Sequence, residues 1–276
     1  MKCSLNGITI ISSDLEGDIR IASEAGFEGV EIWRQLFRPK LEEFLSKKTA
    51  KDLAGLLNSY NLEPVSICPF LNMFFSSNDE QKRNINVFKE MLNVANVIGC
   101  GLLVVCPEEI HEVEPRKIKR TASRILRFLG DLAEEHGIKI GFEFRGVETN
   151  FTPDLGSSIE LINEVNHDSV GLIVDTAHFF KSRSSLKDLE SVDIRELLLL
   201  QVEDLKPLPI DKIDVDNDRL YLGEGIIPLR NILQIVKDKG YSDFISFETF
   251  ATYWNEDPFA VASKARESLN ALLTQL

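Results

Sequence analysis

Ile138-Lys139-Ile140-Gly141-Phe142-Glu143-Phe144 is the stretch on which the fold of this chain turns. It is an apolar run of strand length that closes on a carboxylate, and a helix-stop motif, His136-Gly137-Ile138, leads into it. A parallel strand covered on both faces should read as a near-continuous apolar run, so a charge at its C-terminal end needs a reason. The same form recurs along the chain. Apolar runs at Gly7–Ile11, Gly29–Trp33, Pro64–Cys68, Leu102–Cys106, Lys139–Phe144, Val170–Val174, Leu197–Val202 and Phe244–Glu248 alternate with longer amphipathic stretches.

The amphipathic stretches have helical period. Ile85, Phe88, Met91, Leu92, Ala95 and Ile98 share one face; Ser76-Ser77-Asn78-Asp79-Glu80 opens that helix and Gly99 stops it. Ala25-Gly26-Phe27, Ile98-Gly99-Cys100, His136-Gly137-Ile138 and Lys239-Gly240-Tyr241 each supply a glycine suited to the left-handed position after a helix. No Gly/Ser/Pro-rich linker divides the chain. Eight βα units in 276 residues predict an α/β fold of the closed (β/α)8 TIM barrel kind, one domain over residues 1–276. An open doubly wound sheet is the alternative. No phosphate-cradling glycine loop follows a strand, and Gly223-Glu224-Gly225 is only a weak candidate for phosphate contact.

Composition narrows the partners. With 43% hydrophobic and 27% charged residues, the chain can bury a sizeable core. A formal net charge of -13 opposes phosphate backbones and anionic membranes, which predicts neither nucleic-acid nor membrane binding. The basic stretch Arg116-Lys117-Ile118-Lys119-Arg120 reads as a solvated helix face. No apolar run approaches the roughly 20 residues that span a bilayer, and the N-terminus lacks a secretory h-region, so a cytoplasmic protein is expected. Cys3, Cys68, Cys100 and Cys106 form no Cys-x-x-Cys pair and read as small buried hydrophobes in a reducing compartment.

Barrel enzymes place their chemistry at the C-terminal strand ends. Four successive runs end on Glu143, Asp175, Gln201 and Glu248. Alternation puts Gly141 under Glu143 and Ser246 under Glu248, small residues that suit inward carboxylates. Three converging carboxylates repel one another unless a divalent cation joins them. An all-oxygen donor set favours Mn2+ or Mg2+, with Co2+ or Zn2+ as alternatives. His178, in Asp175-Thr176-Ala177-His178, is placed to reach the same pocket. Arg145 is a candidate for substrate oxygens or for a surface ion pair; Glu31 and Trp33 are candidates for a pocket wall. Phe70, Phe74 and Phe75 read as an apolar lid or as core. Lys206 and Arg219, in the loop after the seventh run, are candidate substrate contacts or plain surface charges.

At these residues the chain resembles the xylose-isomerase-like superfamily of sugar isomerases, epimerases and inosose-processing enzymes, over nearly its whole length. The resemblance rests on Gly141-Phe142-Glu143-Phe144, Val174-Asp175-Thr176-Ala177-His178, Gln201-Val202-Glu203-Asp204, Asp218-Arg219-Leu220-Tyr221-Leu222-Gly223-Glu224-Gly225 and Ser246-Phe247-Glu248. It is strongest to the inosose isomerase subgroup. It implies Glu143, Asp175, Gln201 and Glu248 as metal ligands, His178 lining the site and Arg219 on the substrate. Many relatives carry His at the Gln201 position, and Gln there is similar to the 3-dehydroshikimate dehydratase branch. Leu222 stands where the loop usually has Pro. The apurinic endonucleases of the same superfamily use more site histidines than His111, His136, His167 and His178 supply.

The expected reaction is a metal-assisted proton shift on a keto-polyol, a sugar or cyclitol, through an enediolate. Glu143 and Glu248 are the expected acid/base pair, with His178, Arg145, Arg219, Lys206 and Trp33 around the substrate. A dehydratase using the same base and metal, and a non-catalytic sugar-binding barrel, are the alternatives. The aromatic segment Phe250–Trp254 is expected to shape specificity, and exposed aromatics make a homo-oligomer a further expectation.

Overall fold

The computed structural model describes residues 1–110 and 114–276; His111 falls outside them. Eight parallel strands close a barrel: β1 (Lys2–Asn6), β2 (Gly29–Trp33), β3 (Glu63–Phe70), β4 (Leu102–Val105), β5 (Lys139–Glu143), β6 (Val170–Asp175), β7 (Leu197–Val202) and β10 (Phe244–Phe247), β10 returning to β1. Between β7 and β10 lies a two-stranded antiparallel ribbon of β8 (Asp204–Leu205) and β9 (Arg219–Leu220). The expected closed barrel is therefore present, and the open sheet is excluded.

Around the barrel run α1 (Leu15–Glu24), α2 (Lys40–Leu45), α3 (Ala50–Ser59), α4 (Asn78–Ile98), α5 (Pro115–Glu134), α6 (Leu155–Val165), α7 (Thr176–Lys181), α8 (Leu186–Ser191), α9 (Leu229–Asp238) and α10 (Pro258–Leu273). The helix ends follow the sequence signals. Ser77 caps α4 by accepting from the Glu80 N–H, and Gly99 closes it at φ 76°. Gly26, Gly137 and Gly240 adopt φ of 83°, 68° and 93°, a conformation open to glycine at little steric cost. Among the described residues, no helix is long and apolar enough to cross a membrane.

The first strand differs from expectation. It is Lys2–Asn6, and Gly7–Ile11 is a turn. The Thr9 N–H folds back onto the Asn6 carbonyl at 3.0 Å. The buried Lys40 ammonium takes the Gly7 and Ile10 carbonyls at 2.9 and 3.0 Å and pairs with Asp18 at 2.7 Å. Those two carbonyls are drawn to a cation, and those of Ile8 and Ile11 are taken by the Trp254 and Arg38 side chains, so they are not available to a sheet ladder.

Two apolar layers result. The main core lies between strands and helices, with Leu103, Val105, Phe142, Leu172 and Leu200 facing outward. Inside the barrel, Leu102, Val104, Ile173, Leu199 and Phe244 fill the lower part, and Trp33, Cys68, Cys106 and Phe250 belong to the same interior cluster. Gly141 is a packing requirement: a Cβ there would lie 2.4 Å from Ile173 Cδ1. Phe74 packs edge-on against Phe142 and Phe151, and Phe70 against Phe88, so these rings are core rather than lid.

Asp204 organises the ribbon that carries Arg219. Its carboxylate accepts from the N–H groups of Leu205, Gly223, Gly225 and Ile227 at 2.9–3.1 Å. The Gly223 and Gly225 donors are thereby spoken for, which removes the loop as a phosphate cradle. A Cβ on Gly225 would sit 2.1 Å from the Leu205 carbonyl oxygen. Gly225→Ala should cost about 1–3 kcal/mol through overpacking, seen as a melting temperature lower by roughly 2–10 °C; an unshifted melt would contradict the tight fit.

Candidate active site

The strand register gathers the polar strand ends. Asp175 pairs with Gln201, Gln201 with Ser246, and Glu143 stands beside Ile173. A narrow pocket of about 10 Å³ lies among Asn6, Trp33, Cys106, Glu143, Arg145, Gln201, Glu248 and Phe250. One oxygen each of Glu143 and Asp175 and one ring nitrogen of His178 lie within 4.8 Å of one another. Of the four expected ligands, Glu143 and Asp175 are thus brought together with His178, and Glu143, Gln201 and Glu248 share the pocket.

Asp175 ends β6 and caps α7 at once: its Oδ1 accepts from the His178 N–H at 2.7 Å. That cap turns His178 back towards Glu143, its Nε2 standing 3.6 Å from Glu143 Oε1. Burial drives the His178 pKa down to about 3, so the ring is neutral, and its Nδ1 has no partner. Glu143 is pushed up to about 7 by burial, against the pull of Arg145. Burial also raises Glu248 well above the usual carboxylate range. Asp175 is equally buried, but Arg219 and the His178 N–H outweigh that cost and hold it below its ordinary value.

Arg219 is fully buried, and its guanidinium faces carboxylates. Nη1 donates to Asp175 Oδ2 at 2.8 Å and to Glu203 Oε2 at 3.0 Å, with Glu248 Oε1 at 3.8 Å. Nε donates to the Val215 carbonyl, and the group lies over the Phe250 ring at 4.6 Å. Lys206 is not brought to the pocket: its ammonium pairs with Asp218 at 2.8 Å on the outer side of the ribbon. Arg145 lines the pocket and stands 4.0 Å from Asp216. Trp33 and Phe250 meet edge to face at 6.1 Å and form an apolar wall. Phe37 extends that wall outward, with its ring 4.8 Å from Trp254.

Three polar residues of the site, Asn6, Glu31 and Glu203, make contacts that the strand-end pattern does not assign. Asn6 donates from Nδ2 to Glu31 Oε1 at 3.0 Å and to Glu248 Oε2 at 2.9 Å. Period-two alternation from the true β1 would have pointed to it. Glu31, read only as wall, accepts from Ser66 Oγ at 2.7 Å and from Gln201 Nε2 at 3.2 and 3.3 Å. Glu203 accepts from Thr176 Oγ1 and the Ala177 N–H as well as from Arg219; it sat visibly in Gln201-Val202-Glu203-Asp204. Cys106 donates to Glu143 at 3.4 Å, and burial holds the Cys68 and Cys106 thiols protonated.

The donor set fits a divalent cation. Glu31, Glu143, Asp175, Glu203 and Glu248 are all buried, and Arg219 and Arg145 are the cations beside them. Among the described residues, Gln201 Oε1 is buried without a hydrogen-bond partner, an atom for which a metal would supply the missing contact.

Comparison with known proteins agrees with this geometry. The family model for the xylose isomerase-like TIM barrel matches residues 19–274. An inosose isomerase of Halalkalibacterium halodurans is 30% identical over 251 residues, covering 90% of this chain and 87% of the relative. One from Bacillus velezensis is 26% identical, covering 99% and 97%. The solved structure of the IOLI protein, which holds a zinc atom, superposes with TM-score 0.93 at 26% identity, covering 100% of this chain and 99% of that one. With a barrel, a pocket and an enzyme kinship that all coincide, the chain belongs to the xylose isomerase-like TIM barrel family and is an enzyme of its isomerase/epimerase type.

Proposed function

We propose that this enzyme removes a proton from the hydroxyl-bearing carbon next to the carbonyl of a cyclitol ketone of the inosose class and returns one to the former carbonyl carbon (isomerisation) or to the same carbon (epimerisation), with a divalent cation held by Glu143, Asp175, Gln201 and Glu248. The observation that carries the proposal is the gathering of Glu143, Gln201 and Glu248 around one pocket, with Asp175 beside Glu143 and, among the described residues, Gln201 Oε1 left without a partner. When bound, the cation supplies Lewis acidity that stabilises the negative charge developing on the carbonyl oxygen.

The remaining work falls to the chain. Glu143 and Glu248 stand on strands separated by β6 and β7, so they approach a substrate from different sides. One removes the proton from carbon and the other delivers one, and the roles exchange in the reverse direction. A Glu143 pKa pushed up to about 7 and the upward shift of Glu248 suit carboxylates that must accept as well as release a proton. Neutral His178 offers a ring nitrogen to a substrate hydroxyl, and Arg145 offers a guanidinium at the pocket wall. Trp33 and Phe250 cover the C–H face of the ring and keep water from it.

The test is incubation with an inosose and Mn2+ in D2O. Isomerisation requires deuterium at the carbon next to the carbonyl and a product of unchanged composition. Loss of water instead would mark a dehydratase; neither exchange nor conversion would sink the proposal. The all-oxygen donor set favours Mn2+ or Mg2+ over Co2+ or Zn2+.

Metal uptake has its own signature. Mn2+ at about 100 times its Kd should stabilise the metal-free protein by roughly 2.7 kcal/mol. The gain should shrink from pH 8 to pH 5, because protons compete for Glu143, whose pKa is pushed up to about 7. Thermal melts with and without Mn2+ at both pH values measure it; a gain larger at pH 5 would contradict the ligand assignment.

A further inference from the structure

We infer that Glu31 is a positioning residue for the metal centre: its carboxylate fixes the Gln201 amide so that Oε1, and not Nε2, faces the cation. The inference rests on the cation site proposed above and adds a residue that touches neither metal nor substrate. A carboxylate ligand presents oxygen whichever way it turns. An amide does not: its two ends have nearly the same shape, and the nitrogen end would aim two N–H donors at a cation. Glutamine in a ligand position therefore needs an outside group to choose its orientation.

Glu31 is such a group. An ionised carboxylate only accepts, so whatever faces it must donate. Gln201 presents Nε2 to both Glu31 oxygens at 3.2 and 3.3 Å, and its Oε1 is left free of partners. Two further donors hold the carboxylate in place, Ser66 Oγ at 2.7 Å and Asn6 Nδ2 at 3.0 Å. Asn6 is itself fixed, because the Ile8 N–H donates to its Oδ1 at 3.0 Å and turns Nδ2 inward. The same Nδ2 reaches Glu248 Oε2 at 2.9 Å. One chain of contacts thus orients the Gln201 amide and holds Glu248. Among the described residues Glu31 takes part in no ion pair, so stability alone gives little reason to bury it.

Calorimetric titration of Mn2+ into the metal-free full chain reads the effect. Glu31→Gln keeps the shape but presents a donor as well as an acceptor, which removes the single orientation. It should weaken Mn2+ binding by about 10- to 100-fold, the usual loss when a group behind a metal ligand is replaced. Added to Gln201→Ala, it should weaken binding no further. An equal loss in both backgrounds would mean that Glu31 acts only through its charge and would overturn the inference. The Gln201 side-chain NH2 signal, identified by its absence in Gln201→Ala, gives a readout without metal. Its hydrogens should exchange slowly in the wild-type protein and much faster in Glu31→Gln; equal exchange overturns the inference. Wild-type protein that takes up no Mn2+ would defeat the proposed cation site, and the exchange measurement would still decide what Glu31 does. If Glu31→Gln does not fold by circular dichroism, Ser66→Ala should shift both readouts in the same direction by less, and no shift in either counts against Glu31.

Discussion

Glu143→Gln and Glu248→Gln proteins should each lose roughly 10²–10⁴-fold in turnover, the range over which a positioned acid or base acts. Each amide keeps one oxygen for a cation, so Mn2+ should still bind, more weakly by one ligand charge. The two losses differ in kind. A two-base shift needs one carboxylate to take the proton and another to return it, so each variant should keep only half of the cycle. In D2O, one variant should still exchange the substrate's proton without converting it. The other should do so only with the product as starting material. Proton NMR on both compounds, with Mn2+ occupancy measured in the same samples, separates this outcome from simple metal loss. Near-normal conversion by Glu248→Gln at full occupancy would dismiss the paired-carboxylate mechanism.

Much of this site was legible because parallel barrel strands leave little room for polar residues. Glu143, Asp175, Gln201 and Glu248 interrupt apolar runs at equivalent places, and equivalent places in a closed barrel share a rim. His178 was legible for a local reason, since Asp175 both ends its strand and caps the next helix. Asn6 was hidden because Gly7-Ile8-Thr9-Ile10-Ile11 has the β-branched composition of a strand, while Lys2-Cys3-Ser4-Leu5-Asn6 does not. What bends the former into a turn is Lys40, 30 and 33 residues away, and no local pattern announces it. The contact of Glu31 with Gln201 spans 170 residues and exists only once the barrel closes. The sequence leaves Arg219 a substrate contact or a surface charge, because its strand has two residues, too short for any period; Asp204, by tying four backbone donors, makes the ribbon that turns it inward.

Arg219 is where expectation and structure part furthest, and its replacement should have the largest effect on stability. A substrate-binding arginine should offer donors to the pocket, yet this one is fully buried and spends them on the protein. Asp175, Glu203, the Glu248 carbonyl and the Val215 carbonyl take its Nη1 and Nε hydrogens, Nη2 faces His178 Nε2 at 3.4 Å, and Phe250 covers its face. Arg219→Met keeps the volume and removes the charge, leaving Asp175, Glu203 and Glu248 buried without it. Breaking a buried pair from one side costs about 3–5 kcal/mol, a drop in melting temperature of roughly 6–20 °C for a chain of this size. The loss should depend on pH. Without the guanidinium, Asp175 loses the charge that holds it below its ordinary value, and Glu203 and Glu248, already raised by burial, rise further. The folded variant then holds more protons than the unfolded chain, and its stability falls as pH rises from about 4 through neutrality. The gap to wild type should therefore be wider at pH 8 than at pH 5, and Mn2+ should narrow it by supplying the missing positive charge. Arg219→Lys restores a charge but not the Nε donor to the Val215 carbonyl or the planar face over Phe250, so it should fall between the two. A substrate-contacting Arg219 predicts the opposite pattern, an unchanged melt and a raised KM, and that result would return the residue to the role its sequence motif implies.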